Sequence, residues 1–329
     1  MNVEEIFDQF TMKRVLVLGD VMVDAYLRGT VTRVSPEAPV PIINLEKSEE
    51  RLGGAANVAL NLVALGAEPV LCSIVGEDRG GDKFVELLQK RKLSTEGIIK
   101  STNRQTTIKT RVIGNNQQLL RIDEEQSTVL NSSQEDALIS RLKEVIQLQI
   151  DAVIIEDYNK GLLTPRVINA IISLARKRDI IVAVDPKKDN FLEYKNVTLF
   201  KPNLKELKEG LNIDFDFPKE RDQFESAVRK MEEVIQNGIS FITLSEHGVF
   251  VKEGDKQDYL SAHVRNISDV SGAGDTVISV ATLCLASGLN AKKVAQIANL
   301  SGGLVCELSG VVPIDKTQLI KEVQKLVMA

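Results

Sequence analysis

Tryptophan is absent from these 329 residues, and all aromatic residues together make up only 4%. A core built from this chain is therefore aliphatic. Histidine is scarce, with two residues, and cysteine contributes three. Cys72, Cys284 and Cys306 lie far apart in apolar surroundings. No Cys/His spacing suggests zinc, and the thiols read as buried groups of a reducing compartment, not as disulfide partners. Positive charge is not in excess either. Lys and Arg number 41 against 46 Asp and Glu, a net charge of -5. That balance argues against non-specific binding to nucleic acid or to an anionic membrane. No apolar stretch is long enough to span a bilayer. The opening Met1-Asn2-Val3-Glu4-Glu5 is acidic and amphipathic, unlike a signal peptide. A cytoplasmic location is expected. Common nucleotide motifs are missing too. The absence of G-x-x-x-x-G-K-[ST] excludes a P-loop enzyme. The absence of G-x-G-x-x-G after the first apolar run weakens a dinucleotide-binding reading.

What the chain does have is 43% hydrophobic residues, enough for a sizeable core, and a regular alternation of patterns. Apolar runs at 15–19, 70–75, 152–155, 180–184 and 241–244 read as buried strands. Helical patterns at 55–65, 81–92 and 165–178 fall between them, the last with Pro165 at its start. Such alternation predicts an α/β fold with a mostly parallel sheet covered on both faces. No repeat, low-complexity tract or linker interrupts it, so one domain over 1–329 is expected. Two stretches depart from the pattern, at about 25–45 and 104–122. They carry near-alternating apolar residues such as Val31, Ile42, Ile108, Thr110 and Val112. They predict antiparallel strands forming a small β-sheet flap, either a lid over a substrate or an interface for a second chain.

The most informative stretch is Ser268 to Thr276, with Asp269-Val270-Ser271-Gly272-Ala273-Gly274-Asp275 inside it. It precedes the apolar run 277–285, which reads as a buried helix. Gly272, Ala273 and Gly274 would present backbone N–H groups at a helix N-terminus, where the dipole favours an anion. A carboxylate there, Asp275, can take a proton from a hydroxyl that attacks a phosphoryl group. A turn followed by an acidic first-turn residue would look the same in isolation.

Other candidates sit where ligands bind in open α/β sheets, beyond the strand ends. Asp20 and Asp24 follow the first run and can accept hydrogen bonds from sugar hydroxyls, or can serve as a cap and a loop charge. Gly53-Gly54-Ala55-Ala56-Asn57 opens a helix. Its glycines admit close backbone approach, and Asn57 offers both a donor and an acceptor. Asn203 and Glu206 share a helix face and suit a hydrated Mg²⁺, contacting it through water. The same pair also reads as a capping box. His247, in Ser245-Glu246-His247-Gly248, has no nucleophile partner nearby and reads as a loop residue.

The two glycine-containing signatures, 53–57 and 269–275, together resemble the ribokinase-like (PfkB) carbohydrate kinases over essentially the whole chain. Val270-Ser271 departs from the family, which often has Thr and a variable residue there; the glycines and the aspartate are intact. Within that family the chain looks most like the D-glycero-D-manno-heptose 7-phosphate kinases. Arg33-Val34-Ser35-Pro36-Glu37-Ala38-Pro39-Val40-Pro41, Asn116 to Arg121 and Asp157-Tyr158-Asn159-Lys160-Gly161 carry that likeness. The resemblance implies a ribokinase-like three-layer fold with a β-sheet lid. It implies ATP as co-substrate with Mg²⁺ and a phosphorylated sugar as acceptor; because flap edges often pair between chains, a homodimer through the lid is expected. Asp275 matches the catalytic base, and Gly272, Ala273 and Gly274 match the anion hole. Asp20, Asp24, Gly54 and Asn57 match sugar-binding positions. Asn203 and Glu206 match the motif that organises Mg²⁺ and phosphates. Ser245, Gly248 and Asn299 fall in the nucleotide region. The acceptor's 7-phosphate needs cations, for which Lys109, Arg111 and Arg121 are candidates. Some members carry a further nucleotidyltransferase domain, and this chain is expected to be the stand-alone kinase or the kinase half of a longer protein. Another sugar or nucleoside kinase on this scaffold and a non-catalytic sugar or nucleotide sensor are the alternatives.

Overall fold

A computed structural model describes residues 2–263, 267–308 and 310–328. The strands are β1 (Arg14–Gly19), β2 (Val21–Val34), β3 (Pro41–Gly54), β4 (Glu68–Gly76), β5 (Ile98–Ser101), β6 (Thr107–Gly114), β7 (Gln117–Glu124), β8 (Ala152–Glu156), β9 (Ile181–Asp185), β10 (Leu199–Phe200), β11 (Ile239–Thr243), β12 (Val249–Glu253) and β13 (Lys256–Leu260). The helices are α1 (Val3–Phe10), α2 (Ala55–Leu65), α3 (Arg79–Lys90), α4 (Ser132–Val145), α5 (Pro165–Arg176), α6 (Leu204–Leu211), α7 (Arg221–Ile235), α8 (Ala273–Ala286), α9 (Ala291–Val305) and α10 (Lys316–Met328). None of the helices, among the described residues, is long and apolar enough to cross a membrane.

The main sheet has nine strands in the order β13-β12-β11-β10-β9-β8-β1-β4-β5. Only β12 and β13 run antiparallel to their neighbours. Strand alternation splits the core in two. Val15 and Val17 of β1 pack with α1, α2, α3, α8, α9 and α10, while Leu16 and Leu18 pack with α4, α5, α6 and α7. Both faces are thus covered, which is why the strands read as continuous apolar runs. The expected α/β architecture, a mostly parallel sheet with helices on both faces and a small second sheet, is present. Cys72 and Cys284 are buried as anticipated, and burial pushes the Cys72 thiol up to about 12. Cys306 is only half-buried.

A second sheet, β3-β2-β6-β7, rises from the carboxyl end of β1. One residue, Asp20, separates β1 from β2. The flap was expected to be antiparallel throughout, but its central pair β2–β6 is parallel. Its strands are also longer than expected at the inner end. They begin at Val21 and return through Gly54 straight into α2. Alternation in a sequence reports which face a residue occupies; it does not report the partner strand or its direction. The 268–276 stretch differs as well. The helix starts at Ala273, four residues before the apolar run.

Candidate active site

The carboxyl ends of β8 and β9 meet the N-terminus of α8. Gly272 caps that helix with φ 80°, a left-handed conformation that glycine adopts without strain. No side chain caps the end, so first-turn amides remain available to an anion. Ala273 N–H is partly engaged, donating to Val270 O at 3.3 Å. Asp275 lies in this first turn and is only 6% exposed. Asn57 Nδ2 donates to its Oδ2 at 2.5 Å, and the Tyr158 hydroxyl donates to its Oδ1 at 2.8 Å. Burial pushes its carboxyl above the usual range, against the pull of both donors. Asn57 Oδ1 is buried without a hydrogen-bond partner. An orphan acceptor beside a carboxylate suits a ligand hydroxyl.

Asp20 is 2% exposed, and its carboxylate turns into the 157–162 loop. It accepts the backbone N–H groups of Tyr158 at 3.2 Å, Lys160 at 3.1 Å and Leu162 at 3.1 Å. Arg104 Nη2 lies 3.7 Å from it and donates to Lys160 O. The opposite side of the loop is held by Asp157, which accepts from Asn159 N and from the Tyr194 hydroxyl. Gly54, with φ 62°, has no room for a Cβ, which would meet Asp20 O at 2.4 Å.

A buried charge cluster lies alongside. Lys201 Nζ is 2.6 Å from Asp185 Oδ2, at 2% and 4% exposure. A Cβ on Gly274 would stand 3.3 Å from the same Asp185 oxygen, so this pair lies against the start of α8. Lys187 pairs with Glu206. Burial opposes the charge on both lysines, but Asp185, Glu206 and Glu156 outweigh it and raise them. Asn203 and Glu206 form the complete capping box of α6, each side chain accepting the other's backbone N–H at 2.8 Å. The cap therefore exists whether or not the pair has a second role. Glu156, at 1% exposure, has Oε2 unpartnered; burial, with Asp185 and Asp275 nearby, raises its carboxyl well above normal.

The inner flap carries the remaining candidates. Asp24 is 5% exposed and binds Arg111 Nη1 at 2.5 Å. Three guanidinium groups approach the Tyr26 ring, Arg51 at 5.0 Å, Arg111 at 5.3 Å and Arg28 at 5.6 Å. This face looks toward the 268–275 loop, since Arg51 Nη1 lies 3.6 Å from where a Gly310 Cβ would stand and Gly310 N–H donates to Asp269. Lys109 instead binds Asp123 and Glu125, and Arg121 grips Asp123 with two nitrogens. Ser245, Gly248 and Asn299 gather at another place, around the β11–β12 turn. Gly248 N–H donates to Ser245 O, a Cβ on Gly248 would strike Leu260 O, and Asn299 Nδ2 donates to Ser261 O at 2.9 Å.

Comparison with known proteins accords with this geometry. The profile of the pfkB family of carbohydrate kinases matches residues 12–317. The chain belongs to that family. It is a carbohydrate kinase. It is 39% identical over 295 residues to the bifunctional protein HldE of Helicobacter pylori strain G27, covering 89% of this chain and 63% of that protein. It is 38% identical over 316 residues to HldE of Desulfatibacillum aliphaticivorans, covering 96% of this chain and 64% of that one. The kinase thus spans a little under two thirds of these relatives. Its fold matches phosphofructokinase-2 from Escherichia coli in complex with potassium, with TM-score 0.77, 18% identity and coverage of 97% and 100%. It also matches Arabidopsis thaliana ribokinase complexed with ribose and ATP, with TM-score 0.71, 16% identity and coverage of 94% and 99%.

Sequence reasoning on this kinase left several groups without a role. Tyr158 stands in the sequence only as part of the 157–161 motif, and no sequence pattern assigns a role to Arg51, Lys201 or Asp185. The available signal was position, since Glu156, Asp185 and Lys201 all stand at or just after the carboxyl end of a parallel strand.

Proposed function

We propose that this kinase moves the γ-phosphoryl group of ATP to the C1 hydroxyl of D-glycero-D-manno-heptose 7-phosphate, giving the 1,7-bisphosphate. The observation that carries the reading is Asp275, a buried carboxylate in an uncapped helix N-terminus beside the orphan oxygen of Asn57. The choice of sugar rests on the likeness to HldE proteins and on the Arg33–Pro41 and Asp157–Gly161 motifs.

The attacking hydroxyl gives its proton to Asp275, and Asn57 Oδ1 and Asp24 accept hydrogen bonds from the sugar. The α8 amides and Lys201 stabilise charge developing on the transferring phosphoryl oxygens. Lys201 is suited to this because it is already buried and paired, so little reorganisation accompanies the reaction. The flap excludes water, which would otherwise compete as nucleophile. All four cations have acidic partners, Arg111 in Asp24 and Arg51 in Glu49, but Arg111 and Arg51 suit the sugar's own phosphate better than Lys109 or Arg121 because they share the Tyr26 face that looks toward the 268–275 loop.

The residues also fit Mg²⁺. Asn203 and Glu206 offer hard oxygen donors, suited to contact through water. Among the described residues no three His, Cys, Asp or Glu side chains form a cage, which suits an ion held mainly by phosphates and water. When bound, it neutralises phosphate charge. The nucleotide base is assigned to the turn framed by Ser245, Gly248 and Asn299. A homodimer is assigned to the flap, whose exposed Leu45, Leu119, Leu120 and Ile122 favour burial against a second copy.

Product analysis tests the site of transfer. Phosphorus NMR of a reaction with ATP and heptose 7-phosphate is expected to show a new anomeric phosphate. Phosphorylation at another carbon overturns the C1 assignment, and phosphorylation only of fructose 6-phosphate or ribose overturns the sugar.

A further inference from the structure

Asp275 is held by a hydroxyl, and the loop that carries that hydroxyl is held through its backbone by a second carboxylate. Tyr158 belongs to the 157–162 loop, which has two left-handed residues, Asn159 at φ 53° and Gly161 at φ 85°. Such a loop does not hold its shape by regular pairing. Its amides are collected by Asp20, which is almost wholly buried and takes Tyr158 N–H, Lys160 N–H and Leu162 N–H. The Tyr158 hydroxyl then reaches Asp275 Oδ1 while Asn57 takes Oδ2. The two carboxylates are 255 residues apart in sequence and share one tyrosine.

We propose that Tyr158 is a positioning residue for the base, and that Asp20 acts on the reaction through Tyr158 and not by contact with sugar. This deepens the kinase reading and rests on Asp275 being its base. A buried carboxylate needs donors to stay ionised and to keep one lone pair aimed at the incoming hydroxyl. Tyr158 and Asn57 supply those donors from opposite sides. The charged groups near Asp275 are Glu156 of β8, Asp185 of β9 and Lys201 after β10, with Lys187 over the Tyr158 ring. The two donors are neutral, so they steady the carboxylate at every pH below tyrosine ionisation, and burial raises that ionisation well above its ordinary value.

The test is Tyr158→Phe, Asp20→Asn and the double variant. The Phe variant is expected to lose about tenfold in kcat at neutral pH, the usual cost of a hydrogen bond to a charged group. KM for ATP stays within about twofold, because no ATP contact is touched. The acid limb of the pH–rate profile moves to higher pH. The double variant is expected to be no worse than about the weaker single one, since both act through one contact. Tyr259→Phe, whose hydroxyl bonds Glu225 elsewhere, leaves all of these unchanged.

A carbon-13 carboxyl titration, with the Asp275 signal assigned by its loss in Asp275→Asn, needs no turnover. It is expected to show Asp275 titrating at higher pH in Tyr158→Phe. Incorporation of 3-fluorotyrosine, a stronger donor, is expected to move the same signal to lower pH without disturbing the fold. Unchanged titration in both proteins overturns the proposal, as does a Phe variant that loses thermal stability and leaves the pH profile alone. Fully additive losses in the double variant overturn the role of Asp20. If the wild type shows no sugar-dependent ATP turnover, the kinase-substrate reading fails, and the titration still decides whether Tyr158 tunes Asp275.

Discussion

Asp275 combines a proton-accepting group with a place where charge is costly, and its neighbours follow from that conflict. Burial raises its carboxyl, so turnover is expected to fall on acidification at a pH above the ordinary carboxylate range. A pH–rate profile checks this, and an acid limb at or below pH 4 would contradict it. Glu156 makes a separate prediction about stability. Its folded carboxyl is raised well above the unfolded value. Between those two values the fold holds a proton that the unfolded chain has released, so stability falls as pH rises through that window. Glu156→Gln removes the fall and is expected to raise the melting temperature more at pH 8 than at pH 5. An equal change at both would show that Glu156 is ionised in the fold. Arg51 tests the acceptor side. Arg51→Ala is expected to raise KM for the phosphorylated sugar about tenfold, with KM for ATP little changed; equal changes in both would place Arg51 outside the sugar subsite.

At the level of elements, the start of α8 and the start of α6 are the two helix ends that matter, and their sequences differ in legibility. The Asn203–Glu206 box could be read directly, because its spacing of three residues is both the cap signature and the metal reading. Asn203→Ala is expected to cost about 1 kcal/mol of stability and to raise KM for ATP; a stability loss alone would leave only the cap. Gly272 was legible as a loop glycine. Its φ of 80° and the contact a Cβ would make with Asn57 at 3.0 Å were not. Gly272→Ala is expected to cost about 1–3 kcal/mol, measured by denaturant unfolding, with no loss expected only if the loop relaxes. The flap shows the opposite limit. Its existence could be read from alternation, but the parallel β2–β6 pairing joins residues 85 apart, as between Met22 and Thr107, and no local pattern encodes that choice.

For the whole molecule, the parallel sheet was legible because strands buried on both faces are continuous apolar runs between amphipathic helices. The same architecture brings the polar strand ends to one edge, where Asp20 is legible in the sequence as a candidate but the pairing of Lys201 with Asp185 is not. Asp20 shows the difference. Its residue type and position suit a sugar contact, yet its carboxylate holds the loop that carries Tyr158. The tie between Tyr158 and Asp275 spans 117 residues and exists only once the sheet is assembled. The central claim is that this assembled edge is a sugar-phosphate kinase site with Asp275 as its base. Coupled ADP release with MgATP and heptose 7-phosphate, run for the wild type and Asp275→Asn, tests it most directly. The account predicts sugar-dependent turnover that falls by roughly 10²–10⁴-fold in a folded Asp275→Asn variant. Turnover preserved in that variant would contradict it.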